Sequence, residues 1–223
     1  MEAERRFTIQ ADKSGDSSGS CAIIVLTVDS ECYVANVGDS RAVLSAEHGQ
    51  DWSSLSRDHR PNDDDEIKRI TTNGGQIYKP NADVDVLRVF PSGLSVSRTF
   101  GDIKAKLKKY GGREGVIIAT PEVRQFTINE NQHDFIVMGC DGIFDKLDSH
   151  AVMSVAWDTI KRAQAAPGLT GKVPDAIIRE AACQRSSDNL TCIMLTFKHF
   201  ASFFPSRQDL NSFQIADRLQ ATL

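Results

Sequence analysis

The stretch DFIVMGCDGIFDKL, Asp134 to Leu147, decides how the rest of the chain is read. Asp134–Cys140 is an apolar run of strand length, and Asp141 stands directly after it. A carboxylate at the end of a buried strand is held by the sheet, unlike one on a loop. Two others share this placement. Asp39 follows CYVANVG, Cys32–Gly38, where Tyr33, Ala35 and Val37 alternate, and Asp188 immediately precedes NLTCIMLTF, Asn189–Phe197. If the three strand ends share a rim, three carboxylates converge. Like charges that close repel and raise each other's pKa unless a cation neutralises them. Oxygen-only ligands select a hard ion, magnesium or manganese, over zinc. The alternative is that each Asp caps a turn, Asp39 before Ser40, Asp141 before Gly142 and Asp188 before Asn189. Spacing alone leaves both readings open.

Outward from these strands, Cys21–Val28, Cys32–Gly38 and Arg41–Ser45 follow one another with short gaps, as antiparallel neighbours do. Further short strands are expected at Val86–Phe90, Gly115–Ala119 and Glu122–Ile128. DHRPNDDDEIKRITTNGG changes the period: Asn62 or Asp63 caps a helix, Asp64, Asp65 and Glu66 suit its positive end, and Gly74 and Gly75 stop it. Ser149–Ala165 and Val173–Gln184 carry helical spacing, with Pro167, Gly168 and Gly171 breaking the pattern between them. In Arg207–Leu223, Leu210, Phe213, Ala216 and Leu219 recur every third residue, which suits a short docking helix. Residues 1–18 are polar and loop-like in composition. Many short strands followed by helices give an α+β class, two sheets covered by helices.

Composition narrows the function. Twenty-six Lys+Arg against thirty Asp+Glu leave a net charge of −4 over 223 residues, with 40% hydrophobic residues. That suits one folded domain with an appendage and argues against a nucleic-acid partner, which needs a basic face. No apolar leader opens the chain, and the longest apolar run, Cys21–Val28, falls far short of the roughly 20 residues that span a bilayer. The five cysteines are odd in number and lack metal-type pairing, as in a reducing compartment. An intracellular protein, cytoplasmic or nuclear and free of membrane, is expected. The five histidines have no common spacing: His48 lies in a polar turn, His59 in DHRP, His150 at a helix start and His199 at a strand exit. None is assigned as a metal ligand or acid. The cationic run Ile103–Arg113 reads as a solvated helix before it reads as a substrate-binding flap.

Seven blocks occur in order: SGSCAIIVL, NVGDSRAVL, DHRP, EIKRITTNGGQI, GLSVSRTFGD, DFIVMGCDGIFDKL and SSDNLTCIML. Together they closely resemble the metal-dependent protein phosphatase family, type 2C, over Ser18–Phe197, roughly four-fifths of the chain. The resemblance implies an antiparallel β-sandwich flanked by helices, a four-layer αββα arrangement, incomplete at the N-terminus. It implies two magnesium or manganese ions, with a weaker third, activating a water that attacks phosphoserine or phosphothreonine in a protein substrate. On this resemblance Asp141 is a metal-bridging or direct ligand, Asp188 the second, and Asp39 a ligand of the weaker third ion. Gly142 and Asn189 are supporting neighbours, and no catalytic residue is named beyond the metal ligands. Arg41 and Arg98 match motif arginines and are read first as structural partners of carboxylates.

One family block has no counterpart. The family's opening third carries a phosphate-binding arginine and a DGHGG-type motif, whose Asp bridges both ions and whose His is the general acid. The one Asp-Gly pair here is Asp141–Gly142, and the one His-Gly pair, His48–Gly49, has no Asp before it. Arg5 and Arg6, in AERRF, match the helix before SGS instead. The expected organisation is therefore a polar lead-in over 1–17, the C-terminal two-thirds of a phosphatase domain over 18–199, and a tail over 200–223. Activity of these residues alone is expected to be low. The competing expectation is a catalytically inactive scaffold of the same fold that binds a phosphoprotein or partner.

Overall fold

The computed structural model describes residues 1–81, 86–163 and 168–203. The chain divides into two compact units, Met1–Ala42 with Ser54–Thr127, and Val43–Ser53 with the described residues from Ile128 onward. The predicted tail helix at Arg207–Leu223 lies outside the described residues.

In chain order the elements are α1 (Glu2–Ser14), β1 (Gly19–Ser20), β2 (Ala22–Val28), β3 (Glu31–Val37), β4 (Arg41–Ala46) and β5 (Asp51–Ser54). Then come α2 (Asp64–Thr72), β6 (Gln76–Tyr78), β7 (Arg88–Phe90), β8 (Phe100–Gly101), α3 (Ile103–Lys106) and β9 (Glu122–Thr127). The chain continues with β10 (His133–Gly139), α4 (Asp141–Phe144), α5 (Ser149–Ala163), α6 (Leu169–Cys183), β11 (Cys192–Thr196) and α7 (Lys198–Ser202). The pairs β1–β8, β2–β3, β3–β9, β6–β7 and β10–β11 are all antiparallel, and the class is α+β as the sequence implies.

In the first unit β2, β3 and β9 form a three-stranded sheet in that order. Cys32, Val34 and Asn36 of β3 point to one face and are almost fully buried. The opposite face carries Ile24, Leu26 and Val28, with Val123 of β9 in register beyond Ala35, all between 50 and 59% exposed. Short pairs β1–β8 and β6–β7 complete the strands of this unit. Its helix α2 begins where the sequence places it: the Asp63 side chain accepts the Asp65 backbone N–H, and three acids occupy the first turn. Ile70 of α2 packs with Val89, Ala105, Val116 and Ile117.

The polar residues 1–14 form α1, against their loop-like composition and in line with the helix that the AERRF resemblance implies, with Glu4 and Ala11 two turns apart on its buried side. Glu4 accepts from the Gly101 backbone N–H at 2.9 Å and from Lys106 Nζ at 2.6 Å. The strand expected at Gly115–Ala119 does not form, apart from a single bridge between Ile118 and Arg98. Arg69 instead donates to the carbonyls of Gly115 and Val116 and also to that of Ser97. Side-chain donors satisfy these carbonyls, so no neighbouring strand is needed. The run Ile103–Arg113 likewise makes only α3 and a single helical turn at Lys108–Tyr110, with Lys106 tied to Glu4 and Lys109 paired with Asp12.

At the centre of the first unit, Glu66 is 1% exposed. It accepts from Arg98 Nη2 at 2.6 Å, from Arg69 Nη1 at 2.6 Å, and from the Ser97 hydroxyl. Burial alone would push its carboxyl up, but the Arg98, Arg69 and Ser97 hydrogen bonds outweigh it and hold the pKa down at about 2.

The second unit contains a four-stranded sheet in the order β11-β10-β4-β5. One face is covered by α5 and α6, whose Val152, Ala156, Ile160, Val173, Ile177 and Ala181 pack with Phe135 and Val137 of β10. Helix α6 starts four residues earlier than the spacing implies and runs through Gly171 and Pro174, because Leu169 is itself part of this core. Strand β11 starts at Cys192, three residues later than the apolar run suggests, and is only partly buried. None of the five cysteines is in a disulfide. Burial pushes the Cys32 thiol up to about 11 and the Cys192 thiol, with a smaller contribution from Cys140, up to about 12.

A depressed Glu66 contributes stability that is fully present above its ordinary pKa of 4.5 and is lost as the pH falls toward 2. Glu66→Gln is therefore expected to lower stability by about 3–5 kcal/mol at pH 7, since two half-buried guanidiniums lose their buried counter-charge. In urea denaturation the gap between wild type and variant should narrow steadily from pH 4.5 toward pH 2. A gap that stays constant over that range would show that the ion network does not set the acid limb.

Candidate metal centre

Asp141 and Asp188 come together because β10 and β11 are antiparallel neighbours, with Gly139 opposite Cys192. The chain leaving β10 and the chain entering β11 therefore lie side by side. Cys140 stitches them: its N–H donates to the Thr191 carbonyl, its thiol donates to the Asn189 carbonyl at 3.1 Å, and the Thr191 N–H donates to its sulfur. Ser186 adds a fourth link, its hydroxyl donating to the Gly142 carbonyl at 2.7 Å. At the contact itself there is no space for a side chain. A Cβ on Gly142 would overlap the Asn189 carbonyl oxygen and sit 3.3 Å from Asp188 Cβ.

Each of these two carboxylates is oriented locally. Asp141 Oδ1 accepts the Gly142 N–H at 2.8 Å, and Asp188 Oδ1 accepts the Asn189 N–H at 2.7 Å. Asp141 is half-buried and Asp188 exposed. The supporting roles of Gly142 and Asn189 have a direct geometric meaning here: one permits the close approach, the other provides the surface approached. Sequence reasoning does not single out Cys140 or Ser186 as site residues. Ser186 lies two positions before Asp188 in a Ser-Ser run that resembles any polar loop.

Asp39 belongs to the first unit and is 5% exposed at the end of β3. Its turn is clamped by the DHRP segment. His59 Nδ1 accepts the Gly38 N–H at 3.1 Å, the His59 N–H donates to the Gly38 carbonyl at 3.0 Å, and Asn36 donates to that carbonyl too. His59 is fully buried; burial, with Arg98 adding positive charge nearby, lowers its pKa and keeps it neutral. The Asp39 carboxylate is balanced by Arg60, 3.2 Å away, and accepts from the Cys21 thiol. Arg41 forms a two-pronged pair with Asp58, and Arg98 binds Glu66 and the Thr120 carbonyl. Both arginines are structural partners of carboxylates, as expected of them.

The family model described as "Protein phosphatase 2C" matches residues 2–190. A "Probable protein phosphatase 2C 5" of Paramecium tetraurelia is 33% identical over 81% of this chain and 58% of its own length. "Protein phosphatase ppm-1.G" of Caenorhabditis elegans is 33% identical over 84% of this chain and 36% of its own length. The solved serine-threonine phosphatase 2C of Toxoplasma gondii superposes with a TM-score of 0.72 at 20% identity, covering 88% of this chain and 64% of that one. An α+β scaffold that carries acids at adjacent strand ends, and this match over most of its length, define the class: the chain belongs to the protein phosphatase 2C family. It spans a little over half the length of the first curated relatives it matches.

Gly142→Ala is expected to lower stability by about 1–3 kcal/mol, because the new methyl meets backbone and not a flexible side chain. Gly171→Ala is the control. It lies within α6 with nothing within 4 Å, and should raise stability by about 0.5–1 kcal/mol. Equal urea midpoints for the two variants would remove the close approach at Gly142 as a constraint.

Proposed function

We propose that this chain carries the cation-holding part of a magnesium- or manganese-dependent protein-serine/threonine phosphatase, with Asp141 and Asp188 as its metal ligands. The observation that carries the reading is the meeting of the Asp141 and Asp188 segments at Gly142. The donor set fits the ion: two carboxylates at adjacent strand ends offer oxygen alone, the chemistry of a hard divalent cation. A cation bound there supplies Lewis acidity toward a phosphoryl group and a nucleophile from water at neutral pH.

The protein's own groups do the positioning. Asp141 and Asp188 hold the charge, and their backbone N–H bonds fix how each carboxylate faces. Asp39 is the weaker ligand candidate, since Arg60 already neutralises it and any cation must compete with that guanidinium. The phosphatase portion is taken as 18–199 and the tail as 200–223. The substrate is a phosphorylated protein, met inside the cell in cytoplasm or nucleus. Among the described residues no helix is long and apolar enough to cross a membrane. With a single Asp-Gly pair in the sequence, already used at Asp141, these 223 residues supply no bridging carboxylate of the DGHGG type.

Two outcomes follow for the chain 1–223. Manganese should bind weakly, and the double variant Asp141→Asn, Asp188→Asn should weaken it at least about tenfold, read by calorimetry or by the manganese electron paramagnetic signal. Hydrolysis of a phosphothreonine peptide with manganese should be no faster than that of Asp141→Ala. Manganese affinity unchanged in the double variant would overturn the ligand assignment. Clear turnover that Asp141→Ala abolishes would show that another residue replaces the bridging Asp.

A further inference from the structure

We propose that His48, Asp134 and His199 form a zinc site in the second unit. Their donor atoms all lie within 4.8 Å of one another, although the residues are far apart in sequence. Asp134, the second residue of β10, is fully buried. Its Oδ2 accepts the Ser45 hydroxyl at 3.0 Å and the Gly49 N–H at 3.3 Å, and its Oδ1 accepts the His48 N–H at 3.2 Å. Trp157 Nε1 donates to the same Ser45 hydroxyl at 2.9 Å. These are neutral donors. Among the described residues the ion-pair partners of Asp134 are His48 and His199, with no lysine or arginine among them. A fully buried carboxylate without a fixed positive charge is costly, and a metal ion removes that cost.

The histidines present the nitrogens for it. His48 Nδ1 lies 3.3 Å from Asp134 Oδ1, yet it is buried and makes no hydrogen bond. His199 Nε2 lies 3.8 Å from the same oxygen, and the two imidazoles stack at 4.2 Å. Tetrahedral zinc with bonds of about 2.0–2.1 Å separates its donors by roughly 3.3 Å. The His48–Asp134 pair already stands at that spacing, and His199, stacked on His48 with the ring planes 13° apart, must turn out of the stack to aim its in-plane lone pair at the same point. Two imidazoles and one carboxylate are a zinc donor set and not a magnesium one, with a fourth position left for water. The hydrogen bonds from Ser45 and Gly49 orient the carboxylate as outer partners of a ligand do. The ion would pin α7 and the turn Glu47–Gly49 to β10. In that turn Glu47 and His48 both hold left-handed backbone angles, φ 51 and 55.

The test is zinc titration of the full chain, followed by calorimetry and by the visible absorption of cobalt(II) as a zinc substitute. The expected result is one zinc site per chain that His199→Ala weakens at least about tenfold and His199→Cys, which restores a ligand, recovers. The same site should persist in the double variant Asp141→Asn, Asp188→Asn. Absence of zinc binding by the folded wild type, equal affinity in wild type and His199→Ala, or loss of the site in the double variant would each overturn the proposal.

Discussion

A carboxylate closed off from water must be surrounded by donors, and each unit of this chain is organised around one. In the first unit Glu66 is met by two guanidiniums and a hydroxyl. Those arginines reach on to carbonyls of Ser97, Gly115, Val116 and Thr120, so the ion network also fixes the irregular segments that strands would otherwise hold. In the second unit Asp134 plays the corresponding part with neutral donors, joining Ser45 of β4, the turn at His48–Gly49 and, through Ser45, Trp157 of α5. Buried charges of this kind add little net stability over an apolar core. They do specify which loops meet.

The candidate metal centre rests on a different device, strand register. Once Gly139 faces Cys192, the residues that follow one strand and precede the other are adjacent without any choice of loop. The sulfur of Cys140 and the hydroxyl of Ser186 then close the gap, and Gly142 keeps it closed by having no side chain. Asp39 is held just as firmly by a separate clamp, in which a neutral histidine and the backbone of Gly38 bind each other twice. Rigid backbone carries the carboxylates in both cases, and the side chains themselves have short reaches.

Local chemistry is legible in the sequence, and long-range chemistry is not. The start of α2 can be read from Asp63 and the acids after it because capping involves residues two or three apart. Strands β2 and β10 can be read from their apolar runs and β3 from alternation, and Asp141 from its place beyond one of them. The missing strand at Gly115–Ala119 is lost to Arg69, some 46 residues away, which no window of sequence contains. Helix α1 shows through the AERRF resemblance and not through apolar spacing, because it buries just two of its residues, one of them a glutamate. The late start of β11 reflects residues 189 and 191 bonding to Cys140 in place of a ladder. His48, Asp134 and His199 share no spacing, so only the fold could assemble them.

The buried thiols have a practical meaning. Shifted up to about 11 and 12, Cys32 and Cys192 stay as S–H at the pH of a cell, and a protonated thiol is a poor nucleophile. Alkylating reagents and oxidants should then find Cys183 first, exposed at the last position of α6 and five residues before Asp188. A fluorophore attached there needs no engineered cysteine, and it would stand on the segment that leads into the cation ligands, a built-in place from which to watch them.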